Sequence, residues 1–510
     1  MAQYHAPMTT AADLPEHSAV ALRDMIARRT ISPLELMDAC IARIEAFNPA
    51  INAMAATDFE RARTAARAAE DAVMRGDTLG PLHGLPLGVK DLQDTAGLLT
   101  TSGNIGRRHH VPAQDCALVA RLRAAGAIVT AKTNVPDMGA GANTRNPVWG
   151  ATGNPFDPAR NAGGSSGGSA AALAVDMLPL ATGSDTGGSL RIPAALCGVV
   201  GMRPSPGVVA DNARALGWSV ISVLGPMARN VADAALLLRA CAGFDPRDPL
   251  SCVLPDLEAA PAPVDLASLR VGFTEDFGLC AVDPSIRRSF GQRMQTLGAL
   301  VGRCEPLPFA LGDADRTFDV LRAESFYAGH ADTLARAPET LAAHVRANIA
   351  LAGRMTLADR ATAHLTQTAI ARQFSRALEQ VDLIIAPTSP VSPFPWTTLY
   401  PAQVDGQAMR NYYHWLALTY VPTLATNPAL VLPCGRDEAG MPFGLQLIGP
   451  LRSDARLLAL AGALEHAFAT DPALRRPRPD MQLLPTSALF HQPRPISHWR
   501  GRAIFRIFDL

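Results

Sequence analysis

The chain contains almost no lysine. Of 46 basic residues among 510, only Lys90 and Lys132 are lysines, and the other 44 are arginines. A surface ion pair accepts either residue, whereas only the lysine ammonium can be made neutral by burial. Codon bias is the competing explanation for this composition. The two lysines are therefore candidates for proton-transfer chemistry until their sequence context distinguishes them.

Other absences exclude whole classes of protein. The 46 basic residues are balanced by 46 acidic ones, so the basic excess that is typical of a nucleic-acid binder is missing. The N-terminus has no basic segment followed by an apolar stretch, and no run of about 18 apolar residues follows it. We therefore expect a cytoplasmic protein without nucleic-acid or membrane partners, and a homodimer is the expected assembly.

The eight cysteines form no C-x-x-C pair and have no histidine at metal-ligand spacing. This scatter predicts reduced, buried thiols and neither a structural zinc nor a cofactor.

Short apolar runs alternate with helical patterns along most of the chain. Residues 84–91 and 127–132 read as strands on either side of a helix at 116–125, and 381–386 and 429–433 read as further core strands. This alternation predicts an α/β fold with a large mixed β-sheet core that is covered by helices on both faces.

Two glycine-serine loops carry the strongest signal in the sequence. Residues 163–193 read GGSSGGSAAALAVDMLPLATGSDTGGSLRIP, with an apolar segment between the loops. The second loop, residues 183–189, would place consecutive backbone N–H groups beside the Ser189 hydroxyl. Acyl transfer needs this arrangement because the oxyanion forms next to the attacked carbon. An ordinary glycine turn would show the same residue pattern.

A serine nucleophile requires a base, and none of the twelve histidines lies in a glycine-rich loop or at a strand end. Lys90, in contrast, ends an apolar strand and is followed by Asp91. A buried lysine at this position can be partly neutral and can exchange protons through hydroxyl groups.

The stretch from Gly163 to Pro204 resembles the glycine/serine-rich signature of the amidase signature family, as does the GVKD segment at Lys90. Further similarity lies in residues 132–134, 225–229 and 428–435, so that the resemblance covers roughly residues 15–485. It implies a soluble amidase fold and hydrolysis of a small amide, with esters and carbamates as further candidates.

The resemblance also implies a Ser-cisSer-Lys triad. Ser189 would be the nucleophile, Ser165 on a cis peptide bond would relay the proton, and Lys90 would be the base. The resemblance also implies an oxyanion hole and substrate site formed by Thr186, Gly187, Gly188, Ser189 and Gly139. Supporting roles fall to Asp185, Arg191 and Ser166, and an ion pair between Asp185 and Arg191 would brace the loop.

The expected organisation has three parts. Residues 1–75 form an N-terminal helical segment packed on the core, 76–488 the amidase signature domain, and 489–510 a basic C-terminal extension.

Two motif alternatives are weaker. Residues 164–168 fit the G-x-S-x-G nucleophile elbow, but that interpretation leaves Lys90 and the second serine loop without a role. Residues 126–133 are one glycine short of a phosphate-binding loop and form an apolar, β-branched run whose amides belong in a sheet. We therefore expect Lys132 to be structural or to anchor a loop.

Two functional alternatives stay open. The amidase component of the aminoacyl-tRNA amidotransferase has the same signature and works in a complex, whereas the segment Tyr412–Tyr420 looks more like that of stand-alone amidases. The second alternative, a binding module that has kept the fold without activity, is disfavoured because Lys90, Ser165 and Ser189 are all present.

Overall fold

The structure is a computed structural model that describes residues 11–259 and 263–484. Its centre is a mixed sheet of eleven strands in the order β1-β3-β2-β8-β10-β9-β16-β17-β13-β11-β12. Strand β2 runs parallel to β3 and β8, and β11 runs parallel to β12 and β13, whereas the other neighbours are antiparallel.

The strands are β1 Met54–Thr57, β2 Pro86–Lys90, β3 Ile128–Thr133, β4 Arg145–Asn146, β5 Gly150–Ala151, β6 Gly153–Asn154, β7 Asp157–Asn161, β8 Leu180–Asp185, β9 Val200–Arg203, β10 Val223–Ala228, β11 Arg270–Phe273, β12 Arg303–Pro306, β13 Leu383–Pro387, β14 Gln403–Val404, β15 Gln407–Ala408, β16 Ala429–Arg436 and β17 Pro442–Ile448. The short strands β4 to β7, β14 and β15 form three two-stranded ribbons outside the main sheet.

The helices are α1 Ala19–Ala27, α2 Pro33–Ile51, α3 Phe59–Arg75, α4 Ala117–Ala124, α5 Gly167–Ala174, α6 Arg191–Cys197, α7 Val231–Cys241, α8 Pro284–Gly298, α9 Ala314–Arg336, α10 Ala343–Ala352, α11 Leu357–Gln380, α12 Ala417–Leu424 and α13 Asp454–Ala469. Every residue of β2, β3, β10 and β13 is buried. Because successive side chains of a strand point to opposite faces, both faces of the sheet are covered, which confirms the predicted α/β architecture.

The first two helices each begin at a serine cap. The Ser18 hydroxyl accepts a hydrogen bond from the Ala21 amide at the start of α1. At the start of α2, Ser32 and Glu35 form a reciprocal capping box, with Pro33 between them as the first residue of the helix.

Strand β1 lies within the segment that we expected to be helical throughout. It pairs antiparallel with β3 at one edge of the main sheet, so residues 54–57 belong to the sheet and the all-helical expectation is wrong there. The division at residue 75 stays a prediction, and the extension 489–510 lies outside the described residues.

All eight cysteines are free thiols, and five of them are buried. Among the residues that the structure describes, no helix is both long and apolar enough to cross a membrane.

Candidate active site

Strands β2 and β8 are parallel neighbours, so their C-terminal ends meet at one edge of the sheet. Lys90 is the last residue of β2, and Asp185 is the last residue of β8. The chain then enters the loop that carries Ser189, and the other serine loop, before α5, packs beside it. The Ser166 amide donates a hydrogen bond to the Ser189 carbonyl over 3.2 Å, which ties the two loops together.

The Lys90 ammonium nitrogen lies among three serine hydroxyls. Lys90 Nζ is 2.7 Å from Ser165 Oγ, 2.8 Å from Ser166 Oγ and 2.9 Å from Ser184 Oγ. Lys90 itself is completely buried. The structure thus brings together three of the predicted residues, and it adds Ser184, to which the sequence assigned no role.

Burial lowers the pKa of Lys90 to about 7, and the more distant carboxylate of Asp185 only partly opposes this effect. Near neutral pH both the ammonium and the amine are therefore populated. The ammonium donates three hydrogen bonds, which matches the three hydroxyls, whereas the amine has two N–H groups and one lone pair. In the neutral state one of the serines must then donate its proton toward the nitrogen, as a proton relay requires.

Ser165 follows a cis peptide bond, Gly164–Ser165, as the resemblance implies. The glycines before it are needed for close packing. Gly163 has a φ of 73°, and a Cβ atom there would lie 2.7 Å from the Cα of Pro193. A side chain at this position would therefore push the serine loop away from α6.

The second loop presents backbone N–H groups, but fewer than we expected. The Gly188 amide donates to Asp185 Oδ1 over 2.9 Å, so it is not free to hold an oxyanion. The predicted oxyanion hole is therefore corrected at this residue: the Gly188 amide is not one of its donors. The amides of Thr186, Gly187 and Ser189 have no acceptor in the part of the chain that the structure describes.

The half-buried Ser189 side chain likewise makes no hydrogen bond to any described residue. Its hydroxyl is therefore not engaged by the described part of the protein, as a nucleophile requires.

A buried ion network holds this loop. Arg191 donates two hydrogen bonds to the Asp185 carboxylate, at 2.8 and 3.0 Å, and all atoms of both side chains are inaccessible to solvent. Burial raises the pKa of Asp185, but Arg191 and Arg203 outweigh that effect and hold the pKa well below its usual range. Arg203 also donates to the Asp185 carbonyl over 2.8 Å, a contact that the sequence did not reveal.

Lys132 lies apart from the serine cluster. Its Nζ donates to the Gln93 carbonyl and, over 2.9 Å, to Thr95 Oγ1, both in the loop that follows Lys90. The Gln93 side chain in turn accepts from Thr182 Oγ1 over 2.5 Å, on the neighbouring strand β8. These contacts agree with the expectation of a loop-anchoring lysine. Burial lowers the pKa of Lys132 to about 8, although the charge of Asp91 acts to raise it.

Gly139 ends a short 3-10 turn beside the serine loop. Its φ is 70°, and its amide donates to the Pro136 carbonyl over 2.9 Å, so this amide is already engaged. Three residues later, the backbone of Ala142 packs against Gly164, 3.0 Å from where a Cβ would lie. The predicted part of Gly139 in the substrate site stays a prediction.

We call residues 183–189 the oxyanion loop, after their predicted role. An aromatic wall, which we define as Phe318, Tyr412, Tyr413 and Tyr420, flanks this loop. The Phe318 ring lies 2.8 Å from the position of a Cβ on Gly187 and stacks on Tyr420 with ring centroids 4.3 Å apart. Thr419 Oγ1, next to this wall, donates to the Gly187 carbonyl over 2.6 Å. The tyrosines lie in the aromatic segment that the sequence singled out, whereas Phe318 lies in a helix that carried no recognisable chemistry.

No group of three or more His, Cys, Asp or Glu side chains in residues 11–259 and 263–484 is arranged to hold a metal ion.

Comparison with known proteins gives one consistent family. Residues 35–458 match the family model described as Amidase. The chain is 36% identical over 486 residues to the A subunit of the glutamyl-tRNA(Gln) amidotransferase of Acidothermus cellulolyticus, covering 89% of this chain and 95% of the relative. The corresponding protein of Salinispora arenicola is 34% identical over 504 residues, with 91% and 100% covered.

Solved structures agree with this result. A bacterial aryl acylamidase of the amidase signature family superposes with a TM-score of 0.83 at 27% identity, covering 89% of this chain and 96% of that one. A 6-aminohexanoate cyclic dimer hydrolase in complex with its substrate superposes with a TM-score of 0.81 at 29% identity, with 92% and 99% covered. The chain therefore belongs to the amidase signature family and is an amidase, an enzyme that acts on amide bonds.

Proposed function

We propose that this enzyme hydrolyses carboxylic amides as a stand-alone amidase through an acyl-serine intermediate, with Ser189 as nucleophile, Ser165 as proton relay and Lys90 as base. The observation that carries the proposal is the position of Lys90. A fully buried amine with a pKa of about 7 lies 2.7 Å from the Ser165 hydroxyl, beside the loop that carries Ser189. Such a group is half deprotonated at neutral pH, which suits a general base.

The reaction proceeds in two halves. Neutral Lys90 takes the proton of Ser165 as Ser165 takes that of Ser189, and Ser189 Oγ bonds to the substrate carbonyl carbon. The tetrahedral intermediate collapses when the same relay returns the proton to the leaving nitrogen, and the C–N bond breaks. Water then loses a proton to the relay, attacks the acyl-serine and releases the acid, while Ser189 regains its proton.

The oxyanion would be held by the amides of Gly187 and Ser189, together with that of Thr186. Each well-placed donor of this type contributes about 3 to 4 kcal/mol to lowering the barrier. Gly188 supports them indirectly, because its hydrogen bond to Asp185 fixes the turn that presents its two neighbours.

Ser166 and Ser184 would support the base. Their hydroxyls contact Lys90 Nζ from two further directions, at 2.8 and 2.9 Å. They hold the nitrogen on the side of Ser165 and let the ammonium form transiently without losing a hydrogen-bond partner.

The substrate would be a small amide that fits against the aromatic wall. The ring of Phe318 lies directly against Gly187, so the acyl or aryl group of a bound substrate would contact aromatic surface near the oxyanion. The superposition with the aryl acylamidase supports this substrate class.

The second candidate is the amidase component of a glutamyl-tRNA(Gln) amidotransferase, because two such proteins are 34 to 36% identical to this chain. That component would liberate ammonia from an amide donor for use by a complex. The serine-lysine chemistry would be the same, so only dependence on partners distinguishes the two candidates.

The test is hydrolysis of para-nitroacetanilide by the purified chain alone, followed by release of para-nitroaniline. We expect turnover that is lost in Ser189→Ala, while the circular dichroism spectrum is unchanged. If the chain is inactive on anilides and releases ammonia from glutamine only with the other amidotransferase components and tRNA, the second candidate is correct.

A further inference from the structure

One arginine beside the aromatic wall, Arg322, has no acidic partner among the residues that the structure describes. Arg322 lies four residues after Phe318 on α9, so the two side chains share one face of the helix about 6 Å apart along its axis. Because Phe318 contacts Gly187, Arg322 lies one helical turn away from the proposed oxyanion hole.

Aromatic rings rather than carboxylates surround the Arg322 guanidinium. Its carbon Cζ lies 4.5, 5.0 and 5.5 Å from the ring centroids of Phe326, Tyr413 and Tyr412. Arg322 Nη2 donates to the Tyr412 hydroxyl over 2.7 Å, and Nε has no hydrogen-bond partner although the side chain is only 6% exposed. No carboxylate of the described residues lies within ion-pair distance of it.

Asp319, which lies three residues before Arg322 on the same helix, is engaged elsewhere. Asp319 Oδ1 accepts hydrogen bonds from the Tyr413 hydroxyl over 2.6 Å and from the His414 ring over 2.8 Å. A buried arginine without a counter-charge is costly, and the cation–π contacts offset only part of that cost.

The neighbours of Arg322 connect it to both serine loops. The Tyr412 hydroxyl accepts its hydrogen bond, and the Tyr412 ring lies 3.7 Å from the position of a Cβ on Gly141, next to the Ala142 backbone that packs against Gly164. On the other side Phe318, which shares a helix face with Arg322, contacts Gly187 in the oxyanion loop.

We infer that Arg322 binds a carboxylate of the substrate, so that the preferred substrates are small amides that carry a second, ionised carboxyl group. This inference rests on the proposed function, because it concerns the substrate of the same site. A carboxylate would satisfy the free guanidinium donors and neutralise the buried charge at once. The one-turn separation favours substrates whose carboxylate lies a few bonds from the scissile carbonyl.

The test compares matched acid and neutral amides. We would measure kcat/KM for aniline release from succinanilate against butyranilide, and for amide cleavage of 4-acetamidobenzoate against acetanilide. In the wild-type enzyme we expect at least one of the acids to be preferred on the order of tenfold to a hundredfold, the usual gain from a hydrogen-bonded ion pair. Equal kcat/KM values in both pairs overturn the inference without any variant, and anilide turnover would still support the proposed function.

Arg322→Gln should abolish the preference, because kcat/KM should fall much further for the acids than for the neutral amides. The matched control is Arg336→Gln, which removes the same charge from the exposed C-terminal end of the same helix and should preserve the preference. A preference that survives unchanged in folded Arg322→Gln contradicts the inference.

Binding measurements provide a test that does not depend on turnover. In Ser189→Ala protein, calorimetry should show tighter binding of the acid than of its neutral partner, and the additional Arg322→Gln substitution should remove the difference. If no amide is hydrolysed and this difference is found, the proposed function fails while the carboxylate site stands. Equal affinities overturn the site.

Discussion

At the scale of single residues, the two lysines differ in their partners. Both are buried, but Lys90 faces three hydroxyls that can exchange protons, whereas Lys132 faces a backbone carbonyl and Thr95. A carbonyl accepts a hydrogen bond but cannot give up a proton. The same residue type therefore serves as a proposed base at one position and as a loop anchor at the other.

Replacing each lysine by arginine separates these roles. Lys90→Arg keeps the charge, but a guanidinium does not become neutral near pH 7 and cannot accept a proton, so we expect kcat to fall by orders of magnitude, nearly as far as in Lys90→Ala. Lys132→Arg should retain measurable activity and instead lower the melting temperature, because a larger side chain enters a filled site at a cost of about 1 to 3 kcal/mol. Comparable kcat values for the two variants would contradict the assignment.

The pH profile tests the protonation state of the base. Lys90 must be neutral to accept a proton, and burial lowers its pKa to about 7. We therefore expect kcat/KM for an anilide to rise with pH through about 7 and then to level off. A profile that falls over that range would show that the protonated form is the active one.

The sequence singled out Ser165, Ser166 and Ser189 because they lie in a long motif, and Lys90 because it lies in the separate GVKD segment. It did not find the contact of Ser184 with Lys90, since this hydrogen bond joins residues 94 positions apart and depends on the pairing of two strands. Arg322 carried no signal either, because its neighbours come from a segment 90 residues downstream.

At the scale of elements, the turn between β8 and α6 depends on backbone geometry. Gly188 has a φ of 124°, and a Cβ there would lie 2.2 Å from Thr419 Oγ1. A side chain would both strain the backbone and push the loop away from α12.

Gly188→Ala should therefore lower kcat far more than it lowers substrate affinity, because the oxyanion donors move. Gly291→Ala is the control, since Gly291 lies inside α8 and a Cβ added there would meet nothing within 4 Å. It should raise the free energy of unfolding by about 0.5 to 1 kcal/mol without changing activity. Steady-state kinetics and urea unfolding measure both effects, and a fully active Gly188→Ala enzyme would contradict the proposed oxyanion loop.

Elements with a strong pattern were predicted well. The apolar runs at β2, β3, β13 and β16 correspond to strands because each is buried on both faces. Strand β1 was missed, since its four residues, Met-Ala-Ala-Thr, have little β-branched or aromatic character. It is a strand because the edge of β3 offers it hydrogen bonds, which is information that only the folded sheet contains.

At the scale of the whole molecule, one buried network joins distant parts of the chain to the site. Arg191 contacts Asp185 on β8, the Thr419 carbonyl and Thr423 on α12, and Gln446 on β17. The active-site turn is therefore fixed by elements more than 200 residues away in sequence.

Asp185→Asn would leave two buried arginines without their counter-charge, and we expect a loss of about 3 to 5 kcal/mol in the free energy of unfolding. The stabilisation that ionised Asp185 gives the native protein should be complete above about pH 4 and be lost only at lower pH. The reason is that the pKa of Asp185 is lower in the folded protein than in the unfolded chain.

The control is Asp382→Asn, which breaks an ion pair with Arg270 that is largely solvent-accessible and should cost less than about 1 kcal/mol. Urea denaturation at neutral pH measures both variants. Equal losses would show that the buried network does not stabilise the fold in the way described.

The central claim is that Ser189 is the nucleophile and that Lys90 activates it. The most direct measurement is the covalent labelling of the whole enzyme by a fluorophosphonate, with the modified residue located by tandem mass spectrometry. We predict a single label on Ser189, absent in Ser189→Ala and formed orders of magnitude more slowly in Lys90→Ala. A label on another residue, or rapid labelling of Ser189→Ala, would contradict the account.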